Sequence, residues 1–217
     1  MGFTRKVLEK KSAQADYGAQ LAYFELPPPM GILGVNRDDL IDIDESGVWL
    51  FVCRRSRGHA PSGQSAATHS PYNEGKRFTV IMAIDTAGVL AYQIVDLPGT
   101  TSETFYEYMR AMMPRLVDRP RVIVMDNLRS HKSPETKRLV EGNGHVIVFR
   151  PSYSSDVLGS IEYAFNIMKT FLRHHAHDIT EANLVGYTEA AICSISGDTC
   201  RNLFAHTGHF VEPNGAV

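Results

Sequence analysis

At 217 residues, 43% of them apolar and 21% charged, the chain has the make-up of one soluble globular domain long enough to bury a core. Its three cysteines, Cys53, Cys193 and Cys200, form no C-x-x-C pair, which argues against a zinc knuckle or a disulfide frame and for an intracellular protein. The formal net charge of −2 gives the whole molecule no attraction to phosphate, and no stretch approaches the roughly 18 apolar residues of a membrane span.

Met1 to Lys11 is basic but lacks the apolar run of a secretory signal. Phe3 to Leu21 predicts a solvated helix, which Leu26-Pro-Pro-Pro29 stops because proline lacks the amide and clashes with the preceding turn. Leu40 to Asp44 alternates as a strand does, with Ile41 and Ile43 on one side and Asp42 and Asp44 on the other. Ser56 to Pro71, rich in Gly, Ser and Pro, reads as a loop.

Arg77 to Ile84 and Val89 to Val95 predict a β-hairpin closed by a four-residue turn, Asp85-Thr-Ala-Gly88. Thr100-x-x-Glu103 has the spacing of a capping box and opens a helix with Phe105, Met109, Met112 and Leu116 on one face. Arg121 to Met125 is an almost wholly apolar strand, as suits a sheet covered on both faces, and it ends at Asp126. Ser133-Pro134 starts the next helix and Gly142 and Gly144 mark its end. His145 to Phe149 is another strand; Ser160 is expected to cap a helix to about Arg173, and a last helix spans roughly Thr180 to Ile195. Antiparallel strands followed by alternating strands and helices point to an α/β or α+β domain with a mixed sheet.

Asp44 and Asp126 stand where strands end, and Glu162 lies in the first turn of the Ser160 helix. Ligands of open α/β sheets collect beyond the carboxyl ends of strands. Three carboxylates gathered there would suit magnesium, which takes hard oxygen ligands, and two such ions can drive an in-line phosphoryl displacement. Acids at strand ends and in first helical turns are also commonplace, so position alone does not decide between the two readings.

The surrounding words are more specific. Ile43-Asp-Glu-Ser-Gly47, Met125-Asp-Asn-Leu128 followed by His131, and Arg150-Pro-Ser-Tyr-Ser-Ser-Asp156 leading to Ile161-Glu-Tyr-Ala-Phe165 occur in that order, and 35 residues lie between Asp126 and Glu162. Together with Arg57-Gly-His-Ala-Pro-Ser-Gly-Gln64, Gly75-Lys-Arg-Phe-Thr-Val-Ile81 and Cys200-Arg-Asn-Leu-Phe204, this resembles the DDE catalytic domain of mariner-like, insertion-sequence-type transposases from about Ile41 onward.

The resemblance implies a ribonuclease H-like mixed sheet flanked by helices, two magnesium or manganese ions, and hydrolysis plus strand transfer at transposon ends. It makes Asp44, Asp126 and Glu162 the catalytic metal ligands, favours Asp44 over its neighbour Asp42, and puts Asn127 and His131 beside the site. It divides the chain into a linker or helical remnant (1–30) and a catalytic unit (31–217). Its partners would be terminal inverted repeats and target DNA, with a homodimer joining two ends, in a nucleus or a bacterial cytoplasm.

Two departures are visible. Leu158-Gly-Ser160 replaces the family's L-N-P word, and the family's helix-turn-helix modules are not in the chain. They leave open a decayed or domesticated remnant that binds DNA or protein without catalysis.

Lys169 and Arg173 follow Glu162 at helical spacing, and with Arg54, Arg55, Arg57, Lys76 and Arg77 they are the candidates for DNA contact. Lys169 and Arg173 are equally readable as a solvated face with a helix pair to Glu162's neighbourhood, and the short basic runs are more often simply solvated. His174-His-Ala-His177 follows the end of a helix with no cysteine or acidic cluster nearby in sequence and reads as a surface cluster. Gly75-Lys76 lacks the spacing of a phosphate-binding loop, and no serine-hydrolase elbow occurs.

Overall fold

Strand periodicity persists well past Asp44. In the computed structural model, which describes residues 16–54, 60–65, 75–152 and 159–207, the first strand β1 runs Leu40–Val48. It pairs antiparallel with β2 (Phe78–Asp85), which pairs with β3 (Gly88–Val95). On its other side β1 runs parallel to β4 (Val122–Met125), and β4 runs parallel to β5 (Val146–Phe149). The order is β3-β2-β1-β4-β5, a mixed five-stranded sheet.

Alternation then sorts the side chains into two layers. Ile41, Ile43, Ile81, Ala83, Ile123 and Met125 point to one side, where α3 (Ser102–Met112) and α4 (Pro134–Gly142) cover them. Phe105, Met109, Met112 and Leu116 are all buried there, as their spacing predicts. The opposite face carries Leu40, Val80, Met82, Ile84, Val124 and Val148. It packs on α5 (Ser160–His174), α6 (Leu184–Cys193) and α7 (Gly197–His206). Within α5 the stripe Ile161, Ala164, Phe165, Met168 and Leu172 is buried, and Phe171 is half-buried at its edge. Two further α-helices are α1 (Tyr17–Glu25), which ends at Leu26 before the prolines, and α2 (Leu50–Cys53).

Several expectations need correction. Much of the Phe3–Leu21 segment lies outside the described residues; the helix that is described runs from Tyr17 to Glu25. Most of the Ser56–Pro71 loop also falls outside them. The hairpin is tighter than predicted, since Asp85 pairs with Gly88 and only Thr86 and Ala87 turn; Gly88, at φ 139°, takes a conformation that side chains resist.

The last predicted helix is shorter, Leu184–Cys193, and it is not the last. A further helix, α7, opens where the Ser196 side chain accepts from the Thr199 amide. The cap of α3 is Thr101, whose hydroxyl accepts from Thr104 N–H at 3.1 Å, rather than Thr100. Thr100 Oγ1 is buried without a hydrogen bond. Thr101→Ala is therefore expected to cost about 1 kcal/mol of stability, the usual loss for an N-cap, while Thr100→Ala stays within about 0.5 kcal/mol of the wild type. Urea denaturation of the two variants checks this, and the reverse order would return the cap to Thr100.

Candidate active site

Because Ile43 pairs with Met125 across the parallel β1–β4 ladder, Asp44 and Asp126 are the next residues on two adjacent strands. Both follow residues that point into the α3–α4 layer, so alternation turns both toward the face that α5 covers. Glu162, in the first turn of α5, arrives from that side. All three carboxylates line one cleft of about 540 Å³, whose other walls include Glu45, Trp49, Arg77, Thr79, Gly99 and Thr100.

The acids are held unequally. Asp44 is 6% exposed; its Oδ1 accepts from Glu45 N–H at 2.7 Å and its Oδ2 from Arg150 Nη2 at 3.0 Å. Burial, with the negative charges of Asp126 and Glu162, pushes the Asp44 pKa up to about 7 against the pull of Arg150. Burial likewise raises Glu162, opposed by Arg150 and Lys169. Asp126 behaves oppositely: burial works to raise its pKa, yet the hydrogen bond and charge of His131 hold the carboxyl below its usual value.

His131 is fully buried and bridges two carboxylates. Its Nδ1 lies 2.7 Å from Asp126 Oδ1 and its Nε2 lies 3.0 Å from both oxygens of Glu45. Burial disfavours the charged ring, but these two partners raise its pKa to about 9. The ring also packs on Phe105, centroids 4.1 Å apart. His131 is thus both close to the site and structurally satisfied. Asn127 reaches away, with Nδ2 donating to Ser152 Oγ at 3.4 Å.

Glu45, Asp42 and Arg150 were not singled out as partners of the site from sequence. A usable signal existed for two of them: an acid at Asp42 inside an otherwise apolar sheet face requires a buried cation. Arg150, directly after β5, supplies it through an ion pair from Nη1. The expected Ser160 cap is also corrected. Gly159 occupies the cap position without a side-chain bond, and the Ser160 hydroxyl pairs with Thr207 Oγ1 at 2.8 Å. The first turn of α5 is instead anchored by Asp42, whose Oδ2 accepts from Ile161 N–H at 3.0 Å.

Among the basic candidates, Arg77 lines the cleft and lies over the Trp49 ring at 4.9 Å. Lys169 is half-buried and close enough for its charge to act on Glu162; Arg173, one turn on, donates to Thr170 Oγ1 at 3.2 Å. Lys76 is ion-paired with Asp96, and Arg54 sits over Phe51 at 5.3 Å. Arg55 and Arg57 lie outside the described residues. In the histidine cluster, His175 stacks on Phe171, centroids 4.3 Å apart. Among the described residues no three His, Cys, Asp or Glu side chains stand close enough together, as placed, to hold one metal ion, and no helix is long and apolar enough to cross a membrane.

A mixed sheet with helices on both faces and acids gathered beside its two adjacent parallel strands, within β1 and just past β4, is the arrangement of the ribonuclease H-like nucleases. The chain belongs to the DDE superfamily endonucleases: that family's profile matches residues 39–183. The fold is similar to that of the Mos1 mariner paired end complex with Mn (TM-score 0.74, 15% identity) and of a pre-cleavage Mos1 transpososome (0.73, 15%). In each case the match covers 96% of this chain, which spans 65% of the Mos1 chain. The Mos1 transposase catalytic domain with Raltegravir and Mg matches at a TM-score of 0.59 and 12% identity, over 81% of either chain. No curated protein matches the sequence.

Proposed function

We propose that this chain is a transposase catalytic domain that hydrolyses a phosphodiester at a transposon end and transfers the freed strand to target DNA. In this reading Asp44, Asp126 and Glu162 hold two divalent ions, magnesium or manganese. The supporting observation is the common cleft, which receives acids from β1, from the end of β4 and from the start of α5. Carboxylates that raise one another's pKa gain most from a hard cation, and the donor set is all oxygen, so the residues fit such ions. When bound, the ions would supply an activated attacking oxygen and stabilise the leaving one.

The chain's own residues have distinct tasks. His131, tethered to Glu45, fixes the orientation of the Asp126 carboxylate. Arg77, on its Trp49 platform, and Lys169 offer positive charge to DNA phosphates beside an otherwise acidic cleft, and Arg54, Lys76 and Arg173 are further candidates for phosphate contact. The partners are terminal inverted repeats and target DNA, met in a nucleus or a bacterial cytoplasm. Pairing two ends calls for a homodimer; the Mos1 mariner transposase forms a paired end complex.

A non-catalytic DNA- or protein-binding role has one observation in its favour: as placed, no three potential ligands among the described residues share one ion's reach. Supercoiled plasmid separates the readings. The folded chain should convert it to nicked circles with manganese and not with a chelator. A folded chain that leaves the plasmid intact at every manganese concentration overturns the nuclease reading in favour of the binding module.

A further inference from the structure

Arg150 is 2% exposed, and a buried guanidinium is costly unless its partners are fixed. Its Nε is buried without a hydrogen bond, so its two Nη groups carry the polar contacts described for it. One goes to Asp42 and the other to Asp44 Oδ2. Asp42 spends its second oxygen on Ile161 N–H, the amide next to Glu162. A single buried chain of contacts therefore runs from Asp44 through Arg150 and Asp42 to the residue preceding Glu162. Gly159 at the cap position provides no side chain, and the Ser160 hydroxyl pairs with Thr207.

We infer that Arg150 is a positioning residue which, with Asp42, forms a buried brace fixing the Asp44 carboxylate relative to the first turn of α5, which carries Glu162, for cation binding. This rests on the ligand roles proposed above. A fixed positive charge beside Asp44 opposes cation binding by Coulomb repulsion, and neutralising Asp42 does not by itself call for the second contact to Asp44. Geometry does. The guanidinium is a rigid fork able to hold two carboxylates at once, which the single point charge of lysine does not reproduce.

Two variants separate bracing from charge and from bulk stability. Arg150→Lys keeps the charge and loses the fork. Asp42→Asn/Arg150→Met leaves the net charge of the site unchanged, retains an acceptor for Ile161 N–H, and replaces a buried ion pair by neutral groups, an exchange that folds tolerate well. Calorimetric titration with manganese alone, on protein shown to be folded by circular dichroism, is the readout.

Both variants should bind manganese about 10–100-fold more weakly than the wild type, the usual consequence of losing a group that orients a ligand. A merely structural pair would lower the melting temperature and leave the affinity of the folded protein alone. Affinity within about threefold of the wild type in either folded variant, or tighter binding, overturns the brace. A wild-type chain that takes up no manganese defeats the ligand assignment itself and the brace with it.

Discussion

Asp126→Asn is expected to lower manganese-dependent nicking by roughly a thousandfold, since metal-assisted charge stabilisation is worth several kcal/mol and each 1.36 kcal/mol is a factor of ten. The substitution keeps the side chain's volume and one oxygen. That oxygen can still accept from Leu128 N–H, 3.2 Å away in the wild type, and from His131. The fold should therefore survive, and circular dichroism spectra of the two proteins should overlay. What disappears is the negative charge, and Asp126 is the member of the trio that His131 keeps most firmly ionised. Asp198→Asn, at a side chain 86% exposed and ion-paired with Arg201, serves as the control and should nick at the wild-type rate. If the Asp126 variant keeps more than about a tenth of the wild-type rate, Asp126 is not a ligand.

The strands were readable because two simple periods govern them. Ile41 and Ile43 against Asp42 and Asp44 is a period of two, and Val122 to Met125 is an apolar run covered on both faces, as observed. The strand-end positions and the family resemblance, not the periods, singled out Asp44, Asp126 and Glu162, and the three line one cleft. What periodicity does not carry is who satisfies whom. Arg150 meets Asp42 across 108 residues and His131 meets Glu45 across 86, contacts that only the assembled β1–β4–β5 ladder creates.

Local signals failed where two equal candidates stood side by side or a distant one intervened. Thr100 and Thr101 are chemically identical caps, and the chain's entry angle chose the second. Ser160 was the only local cap for α5, yet Asp42 from another strand took its place. That substitution bears on the altered Leu158-Gly-Ser160 word. In this chain a carboxylate binds the first turn of that helix from within the core. For α7 a signal was present and unused: Ser196 followed by Asp198 is the start of a helix.

His131→Gln is expected to cost about 3 kcal/mol of stability at pH 6 and to flatten the pH dependence of unfolding between pH 6.5 and 9. The folded pKa of about 9 exceeds the unfolded value of about 6.5, so the bridging imidazolium stabilises the fold fully below pH 6.5, and that contribution drains away as the pH rises through 9. A difference of about 2.5 pH units corresponds to about 3 kcal/mol, the amount at stake. Glutamine can still bond to one carboxylate, but it carries no charge to place between Glu45 and Asp126. Asp44 adds a second, separate window. Its folded pKa of about 7 also lies above the unfolded value, so its burial costs increasingly more as the pH climbs from about 4 to 7. Both windows make the metal-free wild type lose stability with rising pH, one after the other. The variant should keep the lower window and lose the upper one. Manganese should do the reverse, because a cation at Asp44 favours the ionised carboxylate and offsets the cost of burying it. Urea denaturation at unit steps from pH 5 to 9, with and without manganese, resolves the two windows. A His131→Gln profile running parallel to the wild type above pH 6.5 would show that the bridge carries no charge in the folded protein.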